Sequence, residues 1–178
     1  MRNKLYRKEI DTPIGMMTAC TTEEGVCFLE HPNAKGLVRE LNALLKTCDT
    51  KVFAEGENAV MQLLERELRA YFAGELRTFT VPIDMRLGTD FQRSVWQTLL
   101  KIPYGKTWSY KEEAAALGRP KSVRAVANAN GANPISIVVP CHRVIGADGS
   151  LTGYGGGLAA KEHLLNLEVS DQKSEISG

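Results

Sequence analysis

Cys141 lies in Pro140-Cys141-His142-Arg143, directly after the apolar run Ile135-Ser136-Ile137-Val138-Val139. A cysteine delivered by a buried run and followed by an imidazole and a guanidinium is a candidate nucleophile, because the thiolate attacks and the thiol does not. A nearby base or cation must lower its pKa from a free value of about 8.5. Neighbouring side chains on an extended chain point to opposite sides, so His142 is expected to reach Cys141 through a bend or a bridging water. The other imidazole nitrogen then needs an orienting partner. Glu162 is the candidate: it lies four residues after Leu158 and three before Leu165, so a helix turns it to their apolar face. A carboxylate there needs a partner. The alternatives for Glu162 are an ion pair with Lys161 or Arg143, or plain exposure.

The other three cysteines, Cys20, Cys27 and Cys48, form no C-x-x-C pair and read as small buried hydrophobes. Cys20, Cys27 and His31 are three possible zinc ligands where a closed structural site needs four, so no metal is assigned. No cofactor is implied. The first residues, MRNKLYRKEIDTPIG, carry charges without an apolar core, and the longest apolar runs are about five residues against the ~20 that span a bilayer. A cytoplasmic protein with reduced thiols and no membrane partner is expected.

These residues need elements to hold them. The 178 residues, with net charge +1, suffice for one or two small domains. Residues 4 to 31 read as strands joined by turns at Thr12-Pro13-Ile14-Gly15 and Glu23-Glu24-Gly25. Leu37, Leu41, Leu44 and Leu45 share one helical face, and Val60, Met61, Leu64, Leu68, Tyr71 and Phe72 mark a second helix ending at Gly74. Residues 78 to 83 read as an edge strand containing Pro82. After a linker at Asp84 to Gly88 the pattern becomes helical. Phe91, Val95, Trp96, Leu99 and Leu100 share a face that ends before Pro103. Ser109-Tyr110-Lys111-Glu112 is a capping box, and Gly118 ends that helix. Pro120 suits the first turn of a third helix ending at Gly131. The last pair has the helix-turn-helix pattern, by itself weak evidence of DNA binding. The expected fold is α+β. A small α/β domain with a mainly antiparallel sheet spans 1–84, a mostly helical domain spans 85–170, and a disordered tail spans 171–178.

Charge follows the same division. Residues 1 to 87 carry 12 Lys+Arg against 13 Asp+Glu, whereas residues 88 to 170 carry 9 against 6. Arg119, Lys121, Arg124 and Arg143 fall in a stretch without acids between Glu113 and Asp148. On charge alone this is a modest solvated stripe.

The stretch Pro140-Cys141-His142-Arg143-Val144-Ile145 resembles the active-site motif of the O6-alkylguanine-DNA alkyltransferases, or methylated-DNA-protein-cysteine methyltransferases. The resemblance extends in order through Phe91 to Trp96, Ile102-Pro103-Tyr104-Gly105, Ser109-Tyr110, Ser122 to Val126, Asn133-Pro134, Thr152-Gly153-Tyr154 and the Lys161-Glu162 helix. It covers residues 88 to 168 closely and the first half more loosely. It implies a ribonuclease H-like first domain and a winged-helix-like second one.

The resemblance also implies roles. Cys141 accepts the alkyl group irreversibly, His142 acts through water as base, Glu162 orients it, and Tyr110 donates a proton toward the leaving guanine. Asn133 ties the helix-turn-helix to the active-site turn. Arg124 fills the gap left by the flipped base, with Ser122, Lys121, Arg119, Tyr110 and Asn130 as further DNA contacts in the minor groove. Pro140, Val144, Tyr154, Gly155, Gly156 and Trp96 form the pocket, and backbone carbonyls near Cys141 and Val144 accept from the guanine amino group. The implied protein is a monomeric, single-turnover repair protein acting on double-stranded DNA with O6-alkylguanine, and on O4-alkylthymine. A lesion-binding alkyltransferase-like protein without transfer is the alternative. A thiol hydrolase would turn over, and a helix-turn-helix repressor would show operator preference.

Overall fold

The computed structural model describes residues 4–177, with side chains to residue 170. The chain divides into two compact units between Leu87 and Gly88.

In the first unit, β1 (Tyr6–Thr12), β2 (Gly15–Thr21) and β3 (Val26–Glu30) form an antiparallel meander in that order. Thr12 pairs with Gly15 across the Pro13-Ile14 turn, where Gly15 has φ 115° and Thr12 Oγ1 donates to Gly15 O at 2.7 Å. Helix α1 (Leu37–Thr47) turns Leu41 and Leu44 into a cluster with Leu5, Cys20, Cys27, Phe28 and Cys48. Helix α2 (Ala59–Phe72) is capped by Asn58, whose Oδ1 accepts from Met61 N at 2.9 Å, and the chain leaves it at Gly74 with φ 77°.

Residues 78–83 do not form the expected edge strand. Glu67, buried on α2, captures the amides a ladder would use: Thr80 N at 2.9 Å and Val81 N at 2.8 Å. Only Ile83 makes a bridge, parallel to Val26. Further contacts hold residues 84–87 to this unit, which ends at Leu87. Asp84 N donates to Val26 O at 2.8 Å, Asp84 Oδ2 accepts from Thr22 Oγ1 at 2.6 Å and Arg86 Nε at 2.9 Å, and Leu87 packs on the cluster.

The second unit begins with α3 (Asp90–Leu99), started by a Thr89–Gln92 capping box. Strand β4 (Trp108–Ser109) leads into α4 (Tyr110–Ala116), whose Ser109–Glu112 capping box is present in both directions. Gly118, at φ 83°, turns the chain toward α5 (Val123–Gly131). Pro120 lies ahead of α5 rather than in its first turn, because Ser122 occupies the N-cap. The 3₁₀ turn Cys141–Arg143 runs into β5 (Val144–Ile145), which pairs in parallel with β4. Helix α6 (Leu158–Ser177) continues through most of the expected disordered tail, since no Gly or Pro interrupts it before Gly178, which lies outside the described residues.

Candidate active site

The β4–β5 pairing does the first positioning step. It sets Trp108 against Val144 and Ser109 against Ile145, so Tyr110 at the start of α4 meets the chain that leaves Cys141. The run before Cys141 is buried as expected, but it is not extended. Val138 N donates to Ser136 O at 2.8 Å, Val139 N to Ile135 O at 3.0 Å and Cys141 N to Val139 O at 2.9 Å. Ile137 has φ 72°, a strained conformation for a β-branched residue. Asn133 holds this series of tight turns together. Its Oδ1 accepts from Ile135 N at 3.0 Å, and its Nδ2 donates to Val139 O at 2.9 Å and to Cys141 Sγ at 3.3 Å. The thiol is half-buried, and the amide gives it a donor that favours the thiolate.

His142 is fully buried. Its Nε2 lies 2.7 Å from Glu168 Oε2, whereas Glu162 is exposed on α6. The orienting carboxylate is therefore Glu168. Lys161, Leu164 and Glu168 are spaced at i, i+3 and i+7, and with Ala160 they are the buried residues of α6 among those described. Glu162, next to Lys161, is not among them.

Glu168 is almost saturated with donors. Oε1 accepts from Arg143 Nε at 2.8 Å and Gly105 N at 3.2 Å, and Oε2 accepts a further bond from Arg143 Nη2 at 3.2 Å. Despite burial, the bonds from His142 and Arg143 hold its carboxyl down at about 2. Burial lowers the His142 pKa, opposed by Glu168. A neutral imidazole beside a carboxylate carries its proton on Nε2. Nδ1 is then a buried acceptor, and it has no partner among the described residues.

Arg143 is correspondingly not part of a basic surface stripe. It is buried, donates through Nη1 to Ile102 O at 2.8 Å, and lies over the Tyr104 ring. The Ile102-Pro103-Tyr104-Gly105 segment is thus a clamp on the Arg143–Glu168 pair.

Lys161 joins the site although the sequence pattern assigns it no role there. It is 1% exposed, and its Nζ donates to Val144 O at 2.6 Å and Thr152 O at 2.9 Å. Burial lowers its pKa, and the charge of Cys141 raises it. By reciprocity the ammonium stabilises a Cys141 thiolate. Its bond also occupies Val144 O, one of the carbonyls expected to face guanine. Thr152 further meets Tyr110, with the hydroxyl oxygens 3.1 Å apart. Lys161 therefore ties Thr152, in the glycine-containing loop at residues 152–157, to Val144 just after the active-site turn, and Tyr110 ties it to the start of α4.

Of the expected pocket residues, Pro140 and Val144 are buried, Tyr154 and Gly156 half-buried, and Gly155 exposed. Trp96 is a core residue whose Nε1 donates to Ala129 O at 2.8 Å, fixing α3 to α5. Arg124 is exposed in the first turn of α5, Lys121 and Arg119 are exposed just before it, and Ser122 is half-buried at the N-cap. Arg119 also stacks over Phe91. Asn130 is withdrawn from this surface. It is 8% exposed, and its Nδ2 donates to Glu113 Oε1 on α4 at 2.6 Å. In the first unit, burial pushes the Cys20 thiol up to about 12 and raises that of Cys27 as well, so both are protonated core residues.

Residues 4–85 match the family model described as 6-O-methylguanine DNA methyltransferase, ribonuclease-like domain. Residues 90–170 match 6-O-methylguanine DNA methyltransferase, DNA binding domain. A methylated-DNA–protein-cysteine methyltransferase of Mycolicibacterium paratuberculosis is 62% identical over 161 residues, covering 90% of each chain. One of Methanosarcina barkeri is 43% identical over 167 residues, 94% of this chain and 99% of that protein. The crystal structure of Mycobacterium tuberculosis O6-methylguanine methyltransferase superimposes with TM-score 0.76 at 44% identity, over 94% of each chain. That of Mycobacterium tuberculosis OGT in complex with DNA gives 0.79 at 43% identity, over 93% of this chain and 94% of that one.

Proposed function

The chain belongs to the methylated-DNA–protein-cysteine methyltransferase family, and we propose that Cys141 is the residue that takes the alkyl group. The protein is a DNA-repair alkyltransferase. The observation that carries the assignment is the set of groups around Cys141: Asn133 Nδ2 at 3.3 Å from Sγ, and a buried, carboxylate-oriented His142 with an open Nδ1.

The reaction begins with the Cys141 proton. A water between Sγ and His142 Nδ1 passes it to the imidazole, and Glu168 stabilises the imidazolium. The thiolate is held by Asn133 Nδ2–H and favoured by the charge of the Lys161 ammonium. Sulfur attacks the alkyl carbon, an S–C bond forms, and the C–O6 bond breaks with its electron pair going to guanine. The Tyr110 hydroxyl protonates the departing guanine and recovers a proton from the imidazolium through solvent. The thiol proton thus ends on guanine, the product is a thioether, and no step regenerates the thiol.

Double-stranded DNA is the partner. The reacting carbon is inside the duplex, so the nucleotide must leave the stack at a cost of a few kcal/mol. Arg124, exposed on α5, fills the gap, and Lys121, Arg119 and Ser122 meet the backbone along the minor groove. O6-alkylguanine is the principal substrate, with O4-alkylthymine accepted by the same displacement chemistry. One chain supplies every group used, so the protein acts as a monomer. Its cysteines are all thiols, which suits the cytoplasm. No described helix is long and apolar enough to cross a membrane.

The test is stoichiometry. Under excess duplex holding one O6-methylguanine, restored guanine should plateau at one per protein. Continued turnover would mean a hydrolase, and binding without restoration would mean a lesion-binding protein.

A further inference from the structure

Besides His142 Nδ1, two buried polar atoms of the second unit without a partner among the described residues sit on one pair of side chains: Glu113 Oε2 and Asn130 Oδ1. The other two atoms of that pair are already joined, Asn130 Nδ2 donating to Glu113 Oε1 at 2.6 Å. Glu113 is fully buried, and Asn130 is 8% exposed. As a carboxylate, Glu113 would leave two acceptors buried without a donor, each a costly arrangement. A carboxylic acid supplies the missing donor. We propose that Glu113 and Asn130 form a neutral, cyclic acid–amide pair, Glu113 Oε2–H donating to Asn130 Oδ1 while Asn130 Nδ2–H donates to Glu113 Oε1, and that this pair locks α4 to α5.

The surroundings favour the acid. Helix α4 packs on α3, α5, β4 and β5. Asp90 and Arg93 on α3 pair with each other at 2.6 Å, while Lys111 and Glu112 on α4 and Arg124 on α5 are exposed. Strands β4 and β5 carry no charge. Arg119 and Lys121, between α4 and α5, are exposed as well, so among the described residues no cation pairs with a carboxylate at this position, and burial pushes Glu113 up to about 7, opposed only by the Asn130 bond.

The lock joins two parts of the machinery. Helix α4 starts at Tyr110 and α5 carries Arg124. Asn130 O also accepts from Asn133 N at 3.2 Å, and Asn133 donates to Cys141 Sγ. Glu113 is thus a positioning residue for duplex engagement, a role that rests on the reading of α4–α5 as the DNA-binding helices. Ionisation would replace the Oε2–H donor with a second acceptor facing Asn130 Oδ1, loosening the pair as pH rises through the Glu113 pKa.

Glu113→Gln separates this from an ionised, merely space-filling carboxyl. Gln can make both bonds, Nε2–H to Oδ1 and Nδ2–H to Oε1, at every pH. The ¹³C carboxyl signal of Glu113 in the full chain, identified by its loss in E113Q, should titrate near neutrality; titration near the ordinary glutamate value overturns the proposal. Wild type and E113Q should bind an unmodified duplex alike at pH 6. Above pH 7 wild-type affinity should fall relative to E113Q, by at most tenfold per pH unit, the ceiling for one proton. A ratio independent of pH refutes the lock's role in duplex engagement. E113L, which loses both bonds, should bind more weakly than E113Q at all pH values if it folds. If wild type binds no duplex at any pH, the DNA reading fails by itself, and the carboxyl titration still decides the acid–amide pair.

Discussion

Glu168→Gln probes the activation chain most sharply, because it keeps the side-chain volume and removes the charge. The carboxylate accepts two bonds from Arg143, one from His142 and one from Gly105. Removing one partner of a buried ion pair costs roughly 3–5 kcal/mol. The depression of Glu168 from 4.5 to about 2 gives a consistent figure, about 3 kcal/mol. The sign is that of a depressed acid: this stability is fully present above the unfolded pKa and is lost as pH falls through the folded one. Thermal melts at pH 7 should therefore show E168Q clearly destabilised, with the gap to wild type closing under strong acid. The kinetic consequence follows from the thiol. An unassisted cysteine of pKa about 8.5 is only about 3% thiolate at pH 7, so loss of activation slows transfer by up to ~30-fold there. The deficit should vanish toward pH 9. Single-turnover rates on a labelled duplex from pH 6 to 9.5, below the melting temperature of the variant, measure this directly. Glu162→Gln, on the exposed side of α6, should match wild type in both assays. A normal pH–rate profile for E168Q would refute the Glu168–His142 chain.

Lys161→Met should slow transfer near neutrality and raise amide exchange across residues 152–157, since it loses both the thiolate's cation and the link from Val144 to Thr152; unchanged exchange would mean the loop is held otherwise. Asn133→Ala removes the Sγ donor and the Val139 brace, so it should lower both the rate and the melting temperature, and an effect on neither would dismiss its bracing role. Arg124→Ala should slow repair in duplex DNA far more than in single strands or with free O6-benzylguanine, where there is no stack to fill. Equal losses on duplex and single strand, with a salt slope lower by about one, would leave Arg124 as a phosphate contact.

Local signals were the most legible. The Ser109–Glu112 capping box, the glycine stops at Gly74 and Gly118, and the leucine face of α1 each arise from contacts within a few residues, which is the range a sequence pattern encodes. What escaped depends on partners far along the chain. Glu162 and Glu168 each have apolar neighbours at helical spacing, and the position of His142 decides between them. The spacing of Glu168 after Lys161 and Leu164 was a usable signal, but a lysine on an apolar stripe reads as an exposed residue until its stem and head are seen buried. Asn130 and Trp96 have the right types for a DNA contact and a pocket wall. They are instead spent on Glu113 and on Ala129 O. Residues 78–83 lost their strand to Glu67, which is 13 residues before Thr80. Burying a carboxylate beside unpaired amides outcompetes ladder formation, and no period in the sequence records it.

The central claim is that the alkyl group passes to Cys141 and stays there. The direct measurement is intact-mass analysis after incubation with a duplex containing one O6-methylguanine, followed by peptide mapping, for wild type and Cys141→Ala. Wild type should gain one methyl group on the peptide containing Cys141 while the lesion becomes guanine, and C141A should bind the duplex but gain nothing. A methyl group on Cys20, Cys27 or Cys48, or guanine restored with the protein mass unchanged, would contradict the account.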